Sequence, residues 1–241
     1  MDRNHPVLSW MGKRGWLPFG GSNKMDGSLL AYRRRLLKDV KNRAPISTKL
    51  TDMPFVVLDI ETTGFRYGQG DEIISIGAMA MQKKCALHEQ ELFHSYVKPL
   101  QVIPQVITDL TGITEKDVAE APGLEQAMKS LLAIVHGKTI VAYGAQHDMG
   151  FLQLATSKYW GIKIQNRVID AYRVAKWLHP EWSEHTLDRA LHHYDIPIRG
   201  RHTADGDTRM TAYLWQKWLG EMEKRKLDTL EDLYLALSRV R

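Results

Sequence analysis

Four acidic residues and one histidine stand in an order that could do chemistry. Asp59 and Glu61 lie in Asp59-Ile60-Glu61-Thr62-Thr63-Gly64, and Asp148 lies in Gln146-His147-Asp148-Met149-Gly150-Phe151-Leu152. His202 and Asp207 close the set in His202-Thr203-Ala204-Asp205-Gly206-Asp207. Carboxylates gathered at one point repel one another, and divalent cations neutralise them at neutral pH. The same cations drive phosphodiester hydrolysis. Hard oxygen donors favour Mg²⁺ or Mn²⁺ over zinc. Each residue alone has a plainer reading. Asp59 and Glu61 would then be solvated acids, Asp148 a helix N-cap, Asp207 a first-turn acid facing the helix dipole, and His202 an exposed loop imidazole. Their joint occurrence in this order outweighs those readings.

The elements that would position them follow from local pattern. Phe55-Val56-Val57-Leu58-Asp59 is an apolar run ending in acid, the mark of a buried central strand. Residues two apart on a strand face one side, so Asp59 and Glu61 would share a face. Glu72 to Met81 and Leu87 to Val97 are expected as two further strands, antiparallel and sequential. Helical periodicity is expected over Gly123–His136, where Leu124, Ala127, Leu131, Leu132 and Val135 line one face. Thr139 to Tyr143 forms a fourth strand, followed by a helix of about 147–160 that Asp148 opens. Val168-Ile169 begins the next unit, with Asp170–Leu178 as its helix. Further helices are expected over 185–194, 204–222 and 229–240, placing Asp207 one turn into the second of these. Three strands followed by strand–helix alternation predict an α/β fold, a mixed five-stranded sheet flanked by helices.

Bulk properties narrow the class. The net charge is +5, from 33 Lys and Arg against 28 Asp and Glu in 241 residues. Residues 1–50 hold 11 basic and 3 acidic residues, a net +8, whereas the remaining 22 basic and 25 acidic residues give −3. The pattern divides the chain into a basic N-terminal extension, 1–50, and a near-neutral domain, 51–241. Within the extension Leu29, Tyr32, Leu36 and Val40 share one face of a helix expected over 28–43, with Arg33, Arg34, Arg35 and Lys38 elsewhere. The helix reads either as docked on the body with solvated arginines, or as an arm for nucleic acid or a protein partner. The single cysteine, Cys85, excludes an internal disulfide and a multi-cysteine zinc site and fits a reducing cytoplasm. No apolar run approaches the roughly 20 residues of a membrane helix, and the first residues lack signal-peptide order, so no membrane association is expected.

With these motifs in place, residues 53–220 resemble the DEDD family of 3′–5′ exonucleases, in the branch whose last motif carries histidine. Asp-Ile-Glu-Thr-Thr-Gly at 59–64 matches the first motif, and His202 with Asp207 matches the spacing of the third. Leu110-Thr111-Gly112-Ile113-Thr114 matches a secondary landmark. The second motif departs from the family pattern His-Asn-Ala-x-Phe-Asp, reading Tyr143-Gly144-Ala145-Gln146-His147-Asp148. Its acid is retained, while Gly144 and His147 replace Asn and Phe.

The resemblance implies a ribonuclease H-like fold and two divalent ions, Mg²⁺ or Mn²⁺, held by Asp59, Glu61, Asp148 and Asp207. It further implies His202 as general base, Thr62, Thr63 and Gly64 as contacts to the terminal nucleotide, and nucleoside 5′-monophosphates as products. The expected partner is nucleic acid with a free 3′ end, single-stranded DNA before RNA. The alternatives are an RNA 3′–5′ exonuclease and a non-catalytic subunit that binds nucleic acid or a polymerase. No clamp-binding peptide or polymerase-binding tail is recognisable, so a free-standing relative is expected rather than the proofreading subunit itself.

Other conspicuous residues carry weaker expectations. His185, His192 and His193 read as surface or packing residues rather than zinc ligands. Trp177, Trp182, Trp215 and Trp218 are candidates for stacking on bases, but Trp215 and Trp218, three apart on a helix, read as core. Phe65, Arg66 and Tyr67 read either as an exposed turn or as contacts for a single strand.

Overall fold

The structure is a computed structural model and describes residues 34, 43–81 and 91–240. Residues 1–27, Cys85, residues 87–90 of the expected third strand, and the helix expected over 28–43 apart from Arg34 and Arg43 lie outside that range. Five strands form one mixed sheet: β1 (Phe55–Thr62), β2 (Ile73–Met81), β3 (Leu92–Tyr96), β4 (Thr139–Ala142) and β5 (Val168–Asp170), in the order β3-β2-β1-β4-β5. β1 pairs antiparallel with β2 and parallel with β4, so the direction of pairing switches at the central strand. The helices are α1 (Gln105–Thr111), α2 (Glu115–Val118), α3 (Leu124–Val135), α4 (Gln146–Trp160), α5 (Ala171–Leu178), α6 (Leu187–His193), α7 (Ala204–Lys224) and α8 (Leu230–Leu237).

The alternation of β1 sets two cores. Val56, Leu58 and Ile60 pack with residues of α3 and α4, whereas Phe55 and Val57 pack with residues of α5, α6, α7 and α8. On that second side the ring of Phe55 meets Trp215 edge-on at 5.3 Å. Trp215 and Trp218 are wholly buried, as their spacing predicts. Asp59 and Glu61 continue the face of Phe55 and Val57, so the same pleat that buries an aromatic ring presents two carboxylates further along. From Phe55 to Asp59 the strand advances about 13 Å. From Trp215 back to Asp207 helix α7 spans about 12 Å. These lengths match, which sets Asp207 beside Asp59 when Trp215 sits on Phe55.

How close α7 can lie depends on one glycine. Gly77 is the register partner of Asp59, and a Cβ there would stand 2.1 Å from the Ala204 carbonyl oxygen and 2.6 Å from Thr208 Oγ1. The first turn of α7 therefore rests directly on the backbone of β2.

Residues 46–50 pair with the start of α8. Leu50 N–H donates to Asp228 O at 2.8 Å and Glu231 N–H to Ile46 O at 2.9 Å, with Leu50 buried in the core. Among the described residues no helix is long and apolar enough to cross a membrane.

Candidate active site

Three of the four acids converge. Asp59, Glu61 and Asp207 each offer a carboxylate oxygen, and these oxygens lie within 4.8 Å of one another. They border a cleft of about 330 Å³ that is also lined by Thr62, Gly64, Phe65, Leu110, Tyr143, His147 and His202. Asp207 is buried, and its Oδ1 has no hydrogen-bond partner. An orphaned buried carboxylate oxygen is costly unless a cation completes it. The donor set is all-oxygen and anionic, which fits a hard divalent ion.

Asp148 does not join the mutual set of three. It is buried, and its Oδ1 accepts the Ile60 N–H of β1 at 3.2 Å. β4 pairs with β1 only from Phe55 to Val57, so beyond Val57 that edge of β1 lacks a neighbour. Asp148 supplies the missing acceptor at the point where the two strands part. It is therefore not the N-cap that its place in the sequence suggests. Ala145 is the N-cap of α4, and Asp148 lies in the first turn. Gly144 has φ +79, a left-handed conformation suited to glycine, and its N–H donates to Asp170 Oδ1 at 3.0 Å. Asp170 itself caps α5, accepting from Tyr172 N–H.

His202 stands on the loop that leads into α7, with φ +59, and its backbone N–H donates to Asp207 Oδ2 at 3.3 Å. Thr203 caps α7 by accepting from Gly206 N–H at 3.2 Å, and its hydroxyl donates to Gly200 O at 2.8 Å. A Cβ on Gly206 would stand 2.0 Å from Gly200 O. Gly206→Ala is therefore expected to push this loop off the helix, cost about 1–3 kcal/mol of stability, and lower turnover more than tenfold. Thermal melts and initial rates check this; wild-type values for both would show that the close approach is dispensable.

The first-motif residues divide. The Thr62 hydroxyl donates to Gly64 O at 2.6 Å and lies 3.3 Å from His147 Nε2, at the cleft. The Thr63 hydroxyl instead accepts Glu72 N–H at 2.9 Å, inside the loop rather than in the cleft. Gly64 lies so near Asp71 that a Cβ would meet its carboxylate at 2.6 Å. Phe65 is 78% exposed at the rim and packs on His147 with ring centroids 5.6 Å apart, while Tyr67 packs on Phe151 at 5.9 Å.

Of the three histidines expected at the surface or in packing, His192 is exposed, and the other two make contacts. His185 Nε2 lies 2.9 Å from His179 O, and the exposed His193 ring meets His179 edge-on at 4.6 Å. His179 stacks on Trp182 with centroids 4.0 Å apart, and Trp182 is buried. Among the described residues no metal-holding group includes a histidine.

Tyr143 of the second motif and Leu110 of the secondary landmark also border the cleft, whereas Arg201 belongs to no motif. Tyr143 lines the cleft and donates to His185 O at 2.6 Å. Arg201 donates to Asp207 Oδ2 and, through Nε, to Asp188 Oδ1 at 2.7 Å. Its adjacency to His202 was the only available signal.

Burial and mutual repulsion push the acids toward protonation. Burial raises Asp59 well above its ordinary value, with Asp148, Glu61 and Asp207 adding to the rise. Burial, then Asp207 and Asp148, raise Glu61 to about 8. Burial raises Asp148 to about 7 against its backbone hydrogen bonds, and raises Asp207, which Arg201 pulls back. The linkage sign follows for Glu61. A folded pKa above the ordinary 4.5 makes its contribution complete below pH 4.5 and lost as pH rises toward about 8. In EDTA, wild type should therefore lose stability relative to Glu61→Gln across that window. Each kcal/mol appears as about 2–4 °C in Tm for a chain of this size. Calorimetry at pH 4.5 and 8 checks it, and a gap that does not change with pH would refute it.

The comparisons with known proteins converge on one family. The exonuclease family model matches residues 56–215. The PolC-type DNA polymerase III of Bacillus subtilis is 31% identical over 185 residues, covering 76% of this chain and 13% of that protein. That of Caldanaerobacter subterraneus is 30% identical over 179 residues, covering 74% and 12%. The chain thus spans about an eighth of the length of these relatives. Among solved structures, the nuclease domain of 3′hExo, a DEDDh family member bound to rAMP, has TM-score 0.63 and 18% identity, covering 72% of this chain and 95% of that one. E. coli exonuclease I in complex with a dT13 oligonucleotide has TM-score 0.61 and 16% identity, covering 71% and 42%. These two neighbours share the ribonuclease H-like architecture of the five-stranded sheet. The chain belongs to the exonuclease family.

Proposed function

We propose that this protein removes nucleotides from the 3′ end of single-stranded DNA, releasing nucleoside 5′-monophosphates. The observation that carries the reading is the meeting of Asp59, Glu61 and Asp207 with His202 at one cleft. Asp59, Glu61 and Asp207, with Asp148 beside them, would hold two divalent ions, Mg²⁺ or Mn²⁺. When bound, such ions supply Lewis acidity at the terminal phosphodiester and offset charge on the leaving oxygen. His202 accepts the proton of the attacking water. Thr62, Gly64 and the exposed Phe65 line the place of the terminal nucleotide, with the Phe65 ring offered for base stacking. Thr63 contributes by holding the loop.

DNA is favoured because the relatives are named as DNA polymerases and exonuclease I is seen with an oligo-dT strand. An RNA substrate is the second reading, since 3′hExo is seen with rAMP. Labelled DNA and RNA oligonucleotides, each with Mg²⁺, Mn²⁺ or EDTA, test both. Metal-dependent loss of single nucleotides from 3′-ended DNA is expected. Cleavage in EDTA would remove the metal reading, and preferential cleavage of RNA would reverse the substrate.

The same reading assigns 51–241 to catalysis in the cytoplasm and the basic residues 1–50 to nucleic acid or a protein partner. If Arg3, Lys13, Arg14 and Lys24 meet phosphates, deleting residues 1–27 lowers the log–log salt slope of binding by about 0.7 per lost contact. An unchanged slope in a salt titration would favour the protein partner.

A further inference from the structure

Asp207 belongs to a chain of three charges that runs inward from the surface. Asp188, in the first turn of α6, has a side chain 47% exposed; that of Arg201 is 22% exposed and that of Asp207 9%. Arg201 Nε donates to Asp188 Oδ1 at 2.7 Å, and Arg201 Nη1 donates to Asp207 Oδ2. The His202 N–H adds a second donor to the same Oδ2 at 3.3 Å. One oxygen of Asp207 is thus held twice, and the other, Oδ1, is buried with no hydrogen-bond partner. A carboxylate fixed in this way cannot rotate to exchange its oxygens. Among the described residues Arg201 donates to neither Asp59 nor Glu61.

We propose that Arg201 is a positioning residue that presents Asp207 Oδ1 to a divalent cation, and that Asp188 aims Arg201. The inference rests on the reading of Asp207 as a metal ligand. A guanidinium is suited to the task because its fork can bond two carboxylates in fixed directions, which an ammonium cannot do. The rival arrangement, in which Arg201 is a counter-ion competing with the metal, predicts the opposite sign. A competing cation would sit among Asp59, Glu61 and Asp207. The hydrogen bonds of Arg201 instead go to Asp188 and Asp207, although its charge also eases the ionisation of Asp59 and Glu61. Partners of this outer kind are worth about 10–100-fold in metal affinity or activity.

The test measures Mn²⁺ binding to the full chain by calorimetry, without substrate, alongside melts in EDTA. Arg201→Gln should weaken Mn²⁺ binding by about 10–100-fold, Arg201→Lys should recover only part, and Asp188→Asn should cause a smaller loss. The partly exposed Asp188 and the conservative Arg201→Lys keep the test open if Arg201→Gln does not fold. Binding by Arg201→Gln that is unchanged overturns the proposal, and tighter binding overturns it in favour of competition. Full recovery by lysine would show that charge alone matters and also overturns it. Asp207→Asn separates the two levels. If wild type and Asp207→Asn bind Mn²⁺ alike, the metal reading falls and takes this inference with it. If Asp207→Asn loses binding while both Arg201 variants keep it, only the positioning role falls.

Discussion

Asp59→Asn and Asp207→Asn should each abolish hydrolysis while leaving a folded protein. Each replaces one of the three carboxylates that meet within 4.8 Å with a neutral amide, a far weaker donor to a divalent cation. The loss should exceed the roughly 10–100-fold that follows loss of an outer partner, because a direct anionic donor to the cation is gone. The fold should not suffer. Asp59 resists ionisation through burial and three neighbouring acids, so replacing it with a neutral amide relieves repulsion in the metal-free protein. Single-turnover assays on a 3′-labelled oligonucleotide, with melts in EDTA at pH 8, would measure both effects. Turnover within tenfold of wild type by either variant removes the assignment. A large fall in Tm for Asp59→Asn would mean that the carboxylate stabilises the chain instead.

His202→Ala is expected to lower the rate by about 10²–10⁴ and leave Mn²⁺ binding intact, because the imidazole is not counted among the ligands. Its left-handed backbone is one that His adopts more readily than Ala, so an alanine replacement adds some backbone cost of its own. Asn tolerates the conformation and cannot serve as the base, so His202→Asn is the cleaner variant. Both should be slow to a similar degree. Near-normal turnover by His202→Asn would send the proton to another group. Metal affinity lost as severely as in Asp207→Asn would instead make His202 part of the metal site.

The parts of this site that could be read in the sequence are those set by short periods. The two-residue spacing of Asp59 and Glu61 puts both on the face of Phe55 because a strand repeats every two residues. Trp215, Trp218 and Asp207 fall correctly on α7 because twenty-one residues give a helix ample room to show its period. The helices α1 and α2, of seven and four residues, are too short to show one, and neither was anticipated. α1 starts after Pro104 and stops at the left-handed Gly112, so its limits lie in turn chemistry. Asp148 is read as a metal ligand through the joint motif, and taken alone as a cap, because an acid near a helix start usually is one. Its true partner, the Ile60 amide, becomes available only where β1 and β4 separate, 88 positions away in sequence. The link from Asp188 through Arg201 to Asp207 joins two helices and the loop between them, and no periodicity encodes it.

The glycine beneath α7 bears on whether this centre could be transplanted. Asp59 and Asp207 come from a strand and a helix, so their separation is the gap between the two layers rather than a choice of rotamer. That gap is closed at Gly77, where a hydrogen atom is all that fits beside the Ala204 carbonyl. Copying the four acids onto another sheet-and-helix scaffold would reproduce the ligands without the spacing between them. The recipient would also need a glycine paired across from its first acid, on the neighbouring strand that carries the helix.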